Sequence, residues 1–323
     1  DKNYFVNKGN LKLDYNKLQN MMKNNLTNLN YINIFDKNIY YEIYGEGNKN
    51  ALLYLHGGPG ASCLDFVNQA KMLSKKIKVI IFDQLGVLRS DAIDGNEEYS
   101  MSVQVEMIEE MRKKLLVKKW SVLGHSYGGS LATLYAYTYP DCVNKIILDC
   151  PSLNFIDSSK SVAYYLTDYM NKSHNSEAIE LCEKIKKAEY KDKQVIFDIL
   201  TLLDYVKDNQ LRNYLHNITF EEYSKSLQTD NITEDMWAKG ERHLMKLIDD
   251  GKMLENFLPI LKKAEKPVLL INGKYDPACG KNQISYMLNN VNDIKQVIFE
   301  NSGHFPRIEE PEKYSKYILE FLE

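Results

Sequence analysis

Residues 121–129 read Ser121-Val122-Leu123-Gly124-His125-Ser126-Tyr127-Gly128-Gly129. The first three form a short apolar run of strand character, and the segment after Gly129 is rich in Ala and Leu, as a helix would be. Gly-x-Ser-x-Gly at a strand-to-helix turn holds a serine in a bend so sharp that its neighbours cannot carry side chains, which accounts for Gly124 and Gly128. The helix start that follows supplies positive potential and an N–H able to stabilise an oxyanion. A glycine-rich turn with an incidental serine has the same local sequence, so the surrounding chain must decide.

Working outward, short apolar runs at 51–55, 78–82 and 121–123 each end in a polar or Gly-rich loop, and helical stretches such as 102–116 separate them. A helix at 131–139 leads to a further strand at 145–148. Near-continuous apolar strands alternating with helices predict a parallel sheet covered on both faces. Before them, residues 31–35 and 39–44 read as a hairpin around Asp36-Lys37-Asn38. After Pro151 the texture changes: residues 152–255 are rich in Lys, Glu, Tyr and Leu and nearly free of Gly and Pro, as in a set of helices. Strand character returns at 267–271 and 296–299, and a helix at 311–322 closes the chain. The economical division is an N-terminal extension (1–30) with a helical scatter at 11–25, an α/β core in two parts (31–151 and 256–323), and a helical cap inserted at 152–255.

Function in open parallel sheets gathers at the carboxyl ends of strands. His56-Gly57-Gly58-Pro59-Gly60 follows the 51–55 strand, where a second oxyanion donor is needed; the donors are assigned to the N–H groups of Gly58 and Tyr127. A serine nucleophile needs a base, and the base an orienting acid. Lys274-Tyr275-Asp276-Pro277 and Asn301-Ser302-Gly303-His304 each follow a strand, giving the chain order Ser126, Asp276, His304, which is that of α/β-hydrolases. Asp149, also at a strand end, is the rival acid. Of the other histidines, His174, His216 and His243 lie in the insertion, and His56 and His125 in the Gly loops, where structural hydrogen bonding is expected.

These loops, together with Phe82-Asp83-Gln84-Leu85-Gly86, Arg89-Ser90-Asp91, Gly273-Lys274-Tyr275-Asp276 and Ser302-Gly303-His304-Phe305, make residues 31–323 resemble the proline iminopeptidase branch of the α/β-hydrolases, which includes the tricorn-interacting aminopeptidase. The resemblance implies an α/β-hydrolase fold with a mostly parallel sheet and a helical cap. It also implies an aminopeptidase acting on short peptides or amino-acid amides. The family's loop pattern Asp-Gln-x-Gly-x-Gly-Arg-Ser is matched by Asp83, Gln84, Gly86, Arg89 and Ser90, while Leu88 replaces the second Gly and Val87 a small residue. The family pairs the substrate's α-amino group with a cap glutamate, and the register 236–242 nominates Glu241. Trp237 and the cap tyrosines are candidates to line a substrate pocket, or are packing residues.

Composition bounds the alternatives. Hydrophobic residues make up 44% and charged residues 26%, and 41 Lys+Arg against 44 Asp+Glu leave a net charge of −3, without the basic surplus of a nucleic-acid binder. No apolar run approaches 18 residues, so no membrane span is expected. Five scattered cysteines (Cys63, Cys142, Cys150, Cys182, Cys279) read as free thiols in a reducing, cytoplasmic compartment. The chain starts at Asp1, which leaves open an upstream signal peptide that has been removed. Neither a metal nor a nucleotide motif occurs, no cofactor is expected, and no signal for oligomeric state is read. Three functions compete: an aminopeptidase, an esterase or lactonase on the same scaffold, and a low-turnover binding protein that keeps the fold.

Overall fold

A computed structural model describes residues 30–206, 214–227 and 229–323; the N-terminal helical scatter at 11–25 lies outside them. Eight strands form one sheet: β1 (Tyr31–Ile34), β2 (Lys37–Tyr44), β3 (Ala51–Leu55), β4 (Lys78–Phe82), β5 (Trp120–His125), β6 (Val143–Asp149), β7 (Val268–Gly273) and β8 (Ile294–Phe299). Their order is β1-β2-β4-β3-β5-β6-β7-β8, with β3 to β8 parallel and the β1–β2 hairpin antiparallel at one edge. The hairpin turns at Phe35-Asp36, both at positive φ (51° and 63°), one residue earlier than the sequence suggests. Two left-handed residues match the strand twist, and Asp36 tolerates that conformation.

The helices are α1 (Val67–Leu73), α2 (Met101–Lys114), α3 (Tyr127–Thr138), α4 (Phe155–Ser173), α5 (Ser176–Lys186), α6 (Gln194–Asp204), α7 (Phe220–Ser226), α8 (Glu234–Asp250), α9 (Leu258–Ala264), α10 (Lys281–Asn290), α11 (Pro306–Glu309) and α12 (Pro311–Leu322). Alternate residues of each central strand enter different cores. Leu53, Ile80, Val122, Ile146 and Leu270 pack with α2, α3, α9 and α10 on one face. Leu52, Val79, Leu123, Ile147 and Leu269 pack with α1 and α12 on the other. Burial of both faces explains why these strands read as continuous apolar runs rather than alternating ones.

The chain passes from β3 out to β4 and then back past β3 to β5, so the strand order reverses between β3 and β5, where a crevice opens at the carboxyl ends. Helices α4 to α8 all lie between β6 and β7 in sequence. The two ends of this excursion are drawn together: Asn154 and Asn256 form an antiparallel bridge, and Phe257 N–H donates to Leu153 O at 2.8 Å.

Candidate active site

The β3–β5 register pairs Leu55 with Gly124, so the loop after β3 and the turn after β5 emerge side by side. A side chain at Gly57 would press within 3.1 Å of Ser126 Cβ. Ser126 has φ 53° and ψ −119°, a strained conformation at the cap of α3, and its N–H donates to Asp149 O at 3.1 Å. Side chains at Gly124 and Gly128 would run into the backbone of Gly128 and of Leu55, respectively. The elbow is thus shaped by steric exclusion, as its sequence suggests.

His304 Nδ1 lies 2.8 Å from Asp276 Oδ1. The N–H groups of Ala278 and Cys279 donate to the same carboxylate at 2.8 and 3.2 Å. Burial pushes the Asp276 carboxyl up, but the imidazole and these N–H groups outweigh it and hold the group below its ordinary value. The rival acid, Asp149, faces elsewhere: it accepts from Arg307 Nη1 and from Tyr314 Oη, both at 2.9 Å, and stands 3.4 Å from His125 Nδ1. Ser126 and His304 line one cavity of about 540 Å³, with Gly57, Gly58 and His125 beside them.

A buried relay that the sequence did not reveal joins the two loops holding Gly58 and Tyr127. Gln84 N–H donates to His56 Nε2 at 3.1 Å, and Gln84 Nε2 to His56 O at 3.2 Å. Gln104 Nε2 donates to Gln84 Oε1 at 2.8 Å, and Tyr127 Oη donates to Gln104 Oε1 at 2.5 Å. All four side chains are buried. The Tyr127 side chain therefore points away from the cavity, and as the first residue of α3 its N–H has no acceptor within the helix. Gln104 stands near the start of an ordinary amphipathic helix, and only its contacts give it meaning.

The His304 loop is tied to the excursion. His304 N–H donates to Tyr214 O at 2.7 Å, and Glu309 accepts from the N–H groups of Gly303 (2.6 Å), His216 (2.5 Å) and Asn217 (2.7 Å). Cys150 lies close behind: its Sγ and one ligand atom each of Asp276 and His304 fall within 4.8 Å of one another. Burial pushes the Cys150 and Cys63 thiols well up, so both stay protonated and act as packing groups with weak hydrogen bonds.

Trp237 lines the rim of the Ser126 cavity and is 45% exposed. Glu241 does not line it; it is exposed and faces a separate depression with Asp235, Lys239 and Arg242. Helix α8 meets the core through Gly240, which abuts Gly60, and through His243. Glu241 is turned about 100° from Gly240 around the helix axis. The departures at Val87 and Leu88 form a small apolar cluster with Leu64, Ile232 and Met236, which seats the start of α8 on the loop after β4. Leu88 keeps a left-handed backbone, φ 33°, at the position where the related loop has glycine. No helix among the described residues is long and apolar enough to cross a membrane.

Comparison with known proteins agrees with this architecture. The alpha/beta hydrolase fold family matches residues 50–311. The proline iminopeptidase of Saccharolobus solfataricus is 30% identical over 298 residues, 91% of each chain. Among solved structures, a proline iminopeptidase-related protein from Thermus thermophilus superposes with a TM-score of 0.67 at 18% identity, covering 90% of this chain and 95% of that one. An esterase from Exiguobacterium antarcticum superposes at 0.62 and 18%, covering 90% and 98%. The match across 50–311, with a curated relative 30% identical over nine-tenths of both chains, means that the chain belongs to the α/β-hydrolase family, in the branch of the proline iminopeptidases.

Proposed function

We propose that this hydrolase works by acyl transfer at Ser126 and that it removes N-terminal residues from short peptides or amino-acid amides. His304, oriented by Asp276, takes the Ser126 Oγ proton as the oxygen attacks the carbonyl carbon; the N–H groups of Gly58 and Tyr127 hold the oxyanion. The same imidazole then protonates the leaving amine, and a water it deprotonates releases the acyl group. Residues 152–255 act as the cap that covers the site and selects substrates. The observation that carries the reading is that His304, paired with Asp276 at 2.8 Å, lines the same cavity as a serine held in a strained turn.

The aminopeptidase part draws on the relatives' names. Against it stands the position of Glu241 outside the cavity, which favours a second reading, an esterase that needs no amine anchor. Hydrolysis of aminoacyl p-nitroanilides beside their N-acetylated twins separates the two. Turnover restricted to free amines is expected of an exopeptidase; equal turnover of both forms, or of esters alone, hands the site to the esterase reading. Ser126→Ala is expected to lower kcat by about three orders of magnitude or more, and a fully active variant would end both readings.

A further inference from the structure

We infer that the substrate's acyl part is bulky and apolar, well beyond the size of a prolyl group; the inference rests on the serine-hydrolase reading of the site. The cavity above Ser126 has a volume of about 540 Å³. A prolyl group, with about seven non-hydrogen atoms, would fill well under half of that even at a generous ~30 Å³ per atom. Its walls are supplied largely by the excursion between β6 and β7: Val162, Ile199, Leu203, Phe220, Leu227 and Trp237 all face it.

Several of the polar groups on the lining are already engaged with the protein, while the hydroxyls of Tyr214, Tyr223 and Ser224 are neutral. Asp65 is the one carboxylate on it among the described residues, and it accepts from Tyr54 Oη at 3.0 Å and is ion-paired with the buried Arg307. No lysine or arginine lines the cavity among the described residues. Ser159 Oγ donates to Phe155 O, and Ser152 Oγ to Ser158 Oγ, which also accepts from Gln283 Nε2. An occupant extending away from Ser126 therefore meets mostly hydrocarbon, and a charge carried along it would lose its hydration without a free counter-charge among the described residues. Each methylene buried there is worth roughly fourfold in affinity. A long aliphatic or aromatic acyl group gains from this volume, and a small one leaves it unfilled.

The test is kcat/KM for p-nitrophenyl esters from acetate to decanoate, alongside the p-nitroanilides of proline, leucine and phenylalanine. Octanoate is expected to exceed acetate by at least tenfold, and any anilide turnover is expected to favour phenylalanine or leucine over proline. Leu203→Trp, which fills the cavity, and Leu200→Trp at its partly exposed mouth are each expected to lower the octanoate-to-acetate ratio at least tenfold, with folding checked by thermal unfolding. A preference for acetate or proline, or a ratio that neither variant moves, overturns the inference while leaving the hydrolase intact. Ester turnover that survives Ser126→Ala would instead remove the hydrolase reading on which it rests.

Discussion

Leu88 holds a left-handed backbone with a buried branched side chain, a combination that costs about 1–3 kcal/mol in strain. Its compensation is the contact with Ile232 and Met236. Leu88→Gly would relieve the strain but forfeit a buried leucine, worth about 2–5 kcal/mol. The expected net result is a loss of about 1–3 kcal/mol in denaturant unfolding; a gain in stability would show that the cluster does not seat the helix. Gly128 is the opposite case, because its missing side chain keeps the Leu55 carbonyl clear. Gly128→Ala is expected to destabilise the fold by more than about 3 kcal/mol, read as a fall in Tm or as insoluble protein, and a variant with native Tm would contradict the steric account of the elbow.

At the level of elements, the two loops proposed to hold the oxyanion belong to different strands and are held in register through α2 by Gln84 and Gln104. Gln104→Leu would strand the Tyr127 hydroxyl and the Gln84 amide, each an unpaired buried group costing about 1–3 kcal/mol. The expected reading is a fall in kcat of tenfold or more with KM nearly unchanged, because the oxyanion forms only during reaction. A fall confined to KM would point to a change in the cavity instead. Glu309 does a comparable service for the His304 loop by accepting three backbone N–H groups, two of them from the chain entering α7. In Glu309→Gln the amide's own N–H would face one of those donors. The variant is expected to lose most of its activity and to shift the acid limb of its pH–rate profile; wild-type kinetics would show that the tie is not needed.

Across the whole molecule, acid stability is set in part by histidines buried without charge. Burial, with Arg307 nearby, pushes His125 down to about 4, and burial pushes His243 down to about 3. Both values lie below the unfolded value of 6.5, so between these limits the unfolded chain binds protons that the folded chain refuses. Their contribution is complete above about pH 6.5 and is lost progressively as the pH falls towards 4. Unfolding free energy is expected to decline over that range, and less steeply in His243→Phe; a flat profile in the parent protein would refute the assignment. The elements and the three loops bearing Ser126, Asp276 and His304 were legible in the chain because strand periodicity, glycine exclusion and strand-end position are local properties. The hairpin turn was misplaced because a non-glycine left-handed residue such as Phe35 leaves no local signature. Glu241 was nominated by register alone, and the facing of a helix depends on what it packs against, here Gly60 and the loop after β4. What the sequence alone determined was therefore the sheet, the elbow and the order of the candidate triad, each dictated by neighbours along the chain. Only the tertiary structure decided that Asp276 rather than Asp149 meets His304, that Gln84 and Gln104 bridge the two loops, and that the cavity is large and apolar. Those facts arise from contacts between segments far apart in sequence, whose residues carry no mark of their partners until they are packed together.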